Sequence, residues 1–232
     1  MKGAYILADY PYRDLFIREF EYLCRSKVDF IEVGLPFNDP VADGPIIAKA
    51  SNEVAEKGYN IDDIADIIQC NNGKKIYIMT YSNIIYNYGL ERFSKRFESI
   101  LDGVIVADLP NIGHEFFIKK GFSIPIIPFA TPESREKDLK KLNGFNGGFV
   151  YFIGIRGITG GEVDFRSENI KIKYNEIKSF TDKKVIIGFG VKSVDDVSTI
   201  LSYADGFVIG TEIVKRQDDF EEFKRYVDKI YL

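Results

Sequence analysis

A chain of 232 residues with 45% hydrophobic residues and a formal net charge of −4 can build a large core and has no basic surface for nucleic acid. Its two cysteines, Cys24 and Cys70, lie far apart in helical-looking segments and make neither a disulfide framework nor a metal pattern; both read as small buried hydrophobes in a reducing compartment. No apolar run approaches the ~20 residues of a membrane span, and the apolar start is interrupted by Asp9, too soon for a signal-peptide core, so the expectation is a soluble, cytoplasmic protein.

Short β-branched and aromatic runs alternate with amphipathic stretches along the chain. The first run, "AYILAD" (4–9), leads into the helical "YRDLFIREFEYLCRS". Next come "DFIEVGLP" (29–36) and "KIYIMTY" (75–81), then the helical "ERFSKRFESIL" and the run "DGVIVADLP" (102–110). "SIPIIPFA" (123–130), "GGFVYFIG" (147–154) and "KVIIGFG" (184–190) follow. The helical "VDDVSTILSY", a last run "DGFVIG" (205–210) and the helical "DFEEFKRYVDKIY" close the series. Apolar strands each followed by a helix call for a parallel sheet covered by helices, and eight such units are the count of an α/β, (β/α)8 TIM barrel. An open doubly wound sheet is the alternative, better served by six or seven strands. No Gly/Ser-rich linker divides the chain, so residues 1–232 read as a single barrel domain. Chemistry in such a barrel sits at the C-terminal ends of the strands and in the loops after them.

The second run carries a charge where a buried strand least tolerates one. Phe30, Glu32 and Gly34 share one face, Ile31 and Val33 the other. If Ile31 and Val33 meet the helices, Glu32 points into the barrel near its mouth. An unpaired carboxyl there loses solvation, its pKa rises, and it can both give and take protons near neutral pH. The plainer alternative is an inner-layer residue paired with a lysine or arginine, although the strand interiors supply few and Lys75 sits at a strand's front end. Asp43 follows in "DPVADGP", where it either caps the helix starting near Pro45 or brings a second carboxylate over the same mouth. Asp39, before Pro40, is a turn former or a functional group. His114, the single histidine, begins a helix after Pro110 and reads as an exposed surface residue, which leaves no histidine nucleophile or zinc site.

Strand seven ends "GFG" (188–190), strand eight ends "GTE" (210–212), and "RGITGGE" (156–162) follows strand six. Barrel loops after strands seven and eight commonly bind phosphate through backbone N–H groups and a short helix N-terminus. Glycine lets the backbone approach closely, and the Thr211 hydroxyl can donate as well. A turn explains any one of these glycines. All three loops together point to a phosphorylated substrate, held across the mouth from Glu32 and Asp43 without like-charge conflict.

The stretch "DFIEVGLPFNDPVADGP" resembles the signature of the tryptophan synthase α subunit family. The resemblance continues in family order through "MTYSNIIYNYG" (79–89), "DGVIVADLP", "GITG" (157–160), "GFGVKS" (188–193) and "IGTEIVK" (209–215), over essentially the whole chain. It implies cleavage of indole-3-glycerol phosphate to indole and glyceraldehyde 3-phosphate in tryptophan biosynthesis, with no metal or organic cofactor. This retro-aldol step needs indole C3 protonated, the adjacent hydroxyl deprotonated, and charge at the indole nitrogen managed. The resemblance makes Glu32 the acid/base, Asp43 the carboxylate facing the indole N–H, and Tyr151 an assisting group. It puts Tyr81 and Thr159 in the pocket and its loop, and Gly160, Gly190, Gly210 and Thr211 in the phosphate cradle. Tyr81 and Tyr151 also have a plain reading as aromatic packing at the mouth. A pyridoxal-phosphate β subunit is the implied partner in an α2β2 complex, with Asp39, Pro40 and Asp108 near the interface.

The chain departs from the family pattern in places. No amphipathic helix stands ahead of the first strand, so something else must cover the barrel's N-terminal end. Asp9 and Tyr10 occupy a turn where the family tends to have glycine, Arg156 is displaced relative to the usual loop arginine, and Thr211 replaces a common serine. Three other readings stay open: a stand-alone lyase, a barrel serving mainly as allosteric activator of the β subunit, and an isomerase or synthase acting on another phosphorylated substrate.

Overall fold

The computed structural model describes residues 1–154 and 164–231. Its strands are β1 (Lys2–Leu7), β2 (Phe30–Gly34), β3 (Lys75–Thr80), β4 (Gly103–Val106), β5 (Phe129–Ala130), β6 (Phe149–Phe152), β7 (Lys184–Ile187) and β8 (Gly206–Ile209). All pair in parallel, in the order β4-β3-β2-β1-β8-β7-β6-β5. The two ends of that order meet. Val104 N–H donates to the Pro125 carbonyl at 2.8 Å, and Ile127 N–H to the Val104 carbonyl at 2.9 Å, which closes the sheet into a barrel.

Each expected run forms its strand, but β5 shrinks to two residues. Pro125 and Pro128 bring no N–H to the ladder, so continuous pairing fails there. The Asn111 side chain substitutes: its amide donates to the Phe129 carbonyl and its oxygen accepts from the Phe129 N–H, both at 2.8 Å.

Period-two alternation sorts the strand residues into two layers. Ile31, Val33, Ile76, Ile78, Val104, Val150 and Val185 face outward and pack against the helices. Tyr5, Leu7, Phe30, Tyr77, Ile105, Phe149, Tyr151 and Val208 fill the barrel. The helix Arg13–Arg25 shows the complementary pattern, burying Leu15, Phe16, Phe20, Leu23 and Cys24 at helical spacing. Among the described residues no helix is long and apolar enough to cross a membrane.

The barrel's N-terminal end is filled from within. Phe30, Tyr77 and Phe149 meet with ring centroids 5.2 to 5.6 Å apart. Gly3, the register partner of Phe30, makes the room: a Cβ there would lie 2.3 Å from the Phe30 ring.

The mouth of β1 is held by polar contacts that sequence patterns did not reveal. Asp9 takes a left-handed backbone (φ 55°), which aspartate tolerates better than most residues, and its carboxylate binds Arg13 at 3.0 and 3.3 Å. Arg13 also reaches Asp63, so the Asp9 turn is a structural clamp between two helices. Buried Gln217 accepts from the Leu7 N–H at 2.8 Å and donates to the Leu7 carbonyl at 3.1 Å. It also donates to Glu19 Oε2 at 3.3 Å, and burial pushes the Glu19 carboxyl up to about 9.

Two sequence expectations are corrected. His114 is 2% exposed, because the 3-10 turn Asn111–Gly113 rotates it against Phe145, with ring centroids 5.0 Å apart. Burial pushes its pKa down to about 4, so the imidazole is neutral. Cys24 is buried as expected, whereas Cys70 is exposed where the chain turns away after the helix Ile61–Ile68.

The fit of Gly3 to Phe30 gives a stability test. Gly3→Ala should cost about 1–3 kcal/mol in urea unfolding, as overpacking does, and Phe30→Leu in the same chain should recover part of that loss. Strictly additive losses would mean that the two positions do not press on each other.

Candidate active site

Glu32 is the middle residue of β2 and has no solvent exposure. Its strand neighbours Ile31 and Val33 meet the helix layer, which turns the carboxyl inward as alternation requires. No Lys or Arg among the described residues compensates it. Tyr151 on β6 donates to Glu32 Oε2 at 3.4 Å, and Oε1 has no partner among the described residues. Desolvation therefore dominates over that long hydrogen bond, and the carboxyl is pushed up to about 8. Among the described residues the ion-paired alternative finds no partner.

Tyr151 shares its hydroxyl between Glu32 and the Gly188 carbonyl at 3.3 Å. Its ring lies so close over Gly188 that a Cβ there would come within 1.9 to 2.2 Å of it. Phe129, Phe149 and Phe189 surround the ring with centroids 5.8 to 6.0 Å away. Tyr151 is thus packed as an aromatic and also aimed at the carboxyl.

Asp43 sits in the loop after β2, half-buried. It does not cap the following helix. Gly44 is the N-cap of Pro45–Lys57, without a side-chain cap bond. The Asp43 carboxylate instead accepts from the Tyr81 hydroxyl at 2.8 Å, and that hydroxyl accepts from the Ala42 N–H at 3.1 Å. Burial pushes Asp43 up to about 6, partly offset by the bond from Tyr81. The Tyr81 ring packs against Phe37, tilted by 32° with centroids 4.9 Å apart, which fixes its direction.

One cavity at the strands' C-terminal ends is lined by Glu32, Asp43 and Tyr151 together with Gly190, Gly210 and Thr211. Gly190 has φ 78°, a conformation that favours glycine. The loop ahead of it is locked by the Ser193/Asp196 capping box, with Asp196 also accepting from the Lys192 N–H at 2.9 Å. Gly210 precedes the short helix Thr211–Val214. Buried Glu212 beside it is neutralised by Lys215 and Arg216. Thr159, Gly160 and Arg156 lie outside the described residues, as does the rest of the loop after β6.

Of the residues assigned to an interface, Asp39 is exposed and Pro40 half-buried in the loop after β2. Asp108 is exposed and has a local task, accepting from the Ser82 N–H at 2.7 Å and the Ser82 hydroxyl at 2.6 Å at the start of the helix Ser82–Tyr88. Sequence reasoning missed Tyr5, Met79 and Phe189, which also line the cavity. The alternation Gly3, Tyr5, Leu7 along β1 was the signal for Tyr5. Among the described residues no three His, Cys, Asp or Glu side chains converge to hold a metal ion.

The chain is similar to known proteins. Residues 4–231 match the family model described as tryptophan synthase alpha chain. The tryptophan synthase alpha chain of Staphylococcus epidermidis is 37% identical over 224 residues, covering 93% of this chain and 91% of that one. The Aquifex aeolicus alpha chain is 32% identical over 219 residues, covering 91% and 84%. The structure of tryptophan synthase subunit alpha from Campylobacter jejuni superposes with a TM-score of 0.87 at 30% identity, over 99% of this chain and 94% of that one. A structure of Mycobacterium tuberculosis tryptophan synthase gives 0.88 at 25% identity, over 99% and 90%. A match running from β1 to the final helix, carried by relatives above 30% identity, makes the chain a member of the tryptophan synthase alpha chain family of carbon–carbon lyases.

Proposed function

We propose that the whole chain works as one cytoplasmic catalytic barrel in which Glu32 and Asp43 carry out the retro-aldol cleavage of indole-3-glycerol phosphate. The observation that carries this reading is a fully buried carboxyl with no cation partner among the described residues, facing the same cavity as a second carboxyl and the glycine loops. Glu32, protonated at neutral pH, gives its proton to indole C3. The electron pair for the new C3–H bond comes from the ring, leaving positive charge at the indole nitrogen beside the Asp43 carboxylate. Glu32, now ionised, takes the proton of the hydroxyl on the adjacent carbon. As that C–O becomes C=O, the C–C bond breaks and its electrons return to the indole. Glu32 ends protonated, as it began. Tyr151 steadies the carboxylate stage, and Tyr81 aims Asp43. Backbone N–H groups around Gly190 and Gly210, with the Thr211 hydroxyl, receive the phosphate; Gly160 and Thr159 complete that end by resemblance alone.

The same reading takes a tryptophan synthase β subunit as partner in an α2β2 complex. The relative from Mycobacterium tuberculosis was solved as tryptophan synthase. Val41 (62% exposed), Tyr86 (52%) and Ile112 (84%) follow β2, β3 and β4, which are neighbours in the sheet, on the side of Asp39, Pro40 and Asp108. Large exposed apolar groups on one side of the rim support a docking surface there.

Glu32→Gln should lower indole release by about 10²–10⁴-fold, the range for a lost acid/base group, and Asp43→Asn should also lower it, with both variants folded by circular dichroism. Full activity in either would remove that residue from the mechanism. Asp43 has to be ionised and Glu32 protonated, so kcat/KM should rise through about pH 6 and fall above about pH 8.

Stability should report the same burial. Glu32 keeps its proton to about pH 8 in the folded chain, against an ordinary value of 4.5. Between those values the folded state holds the extra proton, so stability falls as pH rises, by at most about 1.4 kcal/mol per unit. Glu32→Gln cannot ionise, and its melting temperature should therefore gain on the unaltered chain between pH 5 and pH 8. A constant difference would show that the carboxyl is not desolvated. Stimulation of the chain by a β subunit should weaken about tenfold or more in Ile112→Asp if Ile112 is a central contact; an unchanged titration would move the interface elsewhere.

A further inference from the structure

Tyr5 lies on β1, in register with Glu32 on β2, and its side chain points into the barrel. Two contacts fix its course. A Cβ on Gly210 would sit 3.6 Å from Tyr5 Cβ and Cδ1, so the root of the ring lies beside the end of β8. A Cβ on Gly34 would come within 2.0 Å of the Tyr5 hydroxyl oxygen, so the tip lies over β2, one inward position beyond Glu32 toward the mouth. The ring thus crosses the floor of the cavity from the glycine loop of β8 toward the two carboxyls.

The hydroxyl at its tip is in an unusual position. Tyr151 spends its hydroxyl on Glu32 and Gly188, and Tyr81 spends its own on Asp43 and Ala42. Among the described residues none forms a hydrogen bond with the hydroxyl of Tyr5. Burial, then the negative charge of the Asp43 carboxylate, holds its proton in place, so it is a neutral donor. A phenylalanine would fill the same ring volume without desolvating an oxygen, and buried tyrosine hydroxyls ordinarily find a partner. Gly34 gives up its side-chain space to admit that oxygen.

The strand order supplies the partner. β1 stands between β8 and β2 in the sheet. On the lyase reading, on which this inference rests, phosphate is held at β7 and β8 and the reacting carbon lies at Glu32. The glycerol chain joining them must cross β1. We propose that Tyr5 contacts the substrate directly, its hydroxyl donating a hydrogen bond to a hydroxyl oxygen of the glycerol chain.

Tyr5→Phe removes that one oxygen and keeps the ring. The steady-state kinetics of indole-3-glycerol phosphate cleavage would be compared with inhibition by indole-3-propanol phosphate, which has no chain hydroxyls. Tyr5→Phe should lower kcat/KM about three- to tenfold, the worth of one neutral hydrogen bond, while the inhibition constant stays within about twofold and the melting temperature does not fall. An unchanged kcat/KM would overturn the contact. So would an equal loss for substrate and inhibitor, which would mean a shifted ring rather than a lost bond. If the unaltered chain releases no indole, the lyase reading fails and this inference falls with it; turnover by the unaltered chain that Tyr5→Phe leaves untouched sinks the Tyr5 contact alone.

Discussion

The burial of one carboxyl with no counter-ion among the described residues is the constraint around which this barrel is arranged. Removing Glu32 from water raises its pKa by several units, and the 3.4 Å hydrogen bond from Tyr151 is too long to undo that. Asp43, half-buried and held by a 2.8 Å bond from Tyr81, is raised much less. Two acids of similar intrinsic strength are thereby set about two pH units apart, at about 8 and about 6. Distinct roles for two carboxyls follow from that separation, because near neutral pH one carries a proton and the other a charge. A lysine near Glu32 would erase the difference.

The interior also obeys a volume rule. A closed eight-stranded barrel has room for a fixed amount of side chain, and large aromatics must be balanced by residues with none. Three adjacent pairs meet this demand: Phe30 with Gly3, Tyr5 with Gly34, and Tyr151 with Gly188. In each, an aromatic on one strand leans over a glycine on its neighbour or just past its end. Two of the three pairs bring a hydroxyl to the cavity. Glycines that look like turn punctuation in a sequence are, at these positions, the spaces that let a tyrosine reach the site.

Much of the fold was legible because it depends on local period. Alternation around Ile31 and Val33 sufficed to aim Glu32 inward, and eight apolar runs sufficed for the barrel. What stayed hidden depends on partners far along the chain. Asp43 read equally as a helix cap or a second carboxylate until Tyr81, 38 residues away, claimed its carboxylate. His114 looked exposed because it begins a short helix after Pro110, and its packing against Phe145 comes from far along the chain. Asp9, without an account in the sequence, proved to be a clamp through Arg13. β5 was over-extended because the effect of Pro125 and Pro128 is felt in the ladder, not in hydrophobicity. The resemblance to a family supplied roles for Glu32, Asp43 and Tyr151, but it directed attention away from Tyr5, which none of the stretches carrying the resemblance contained.

The aromatic cluster of Phe30, Tyr77 and Phe149 has a consequence for traffic. Interlocked across the lower end, these rings make the barrel a blind well rather than a pipe. Substrate, solvent and both products must then use the same rim, and whatever covers that rim sets the order in which they pass. On the proposed reading, an apolar product such as indole, formed beside Glu32, has these rings behind it. Its onward route has to be built by the loops or by a neighbour seated on them.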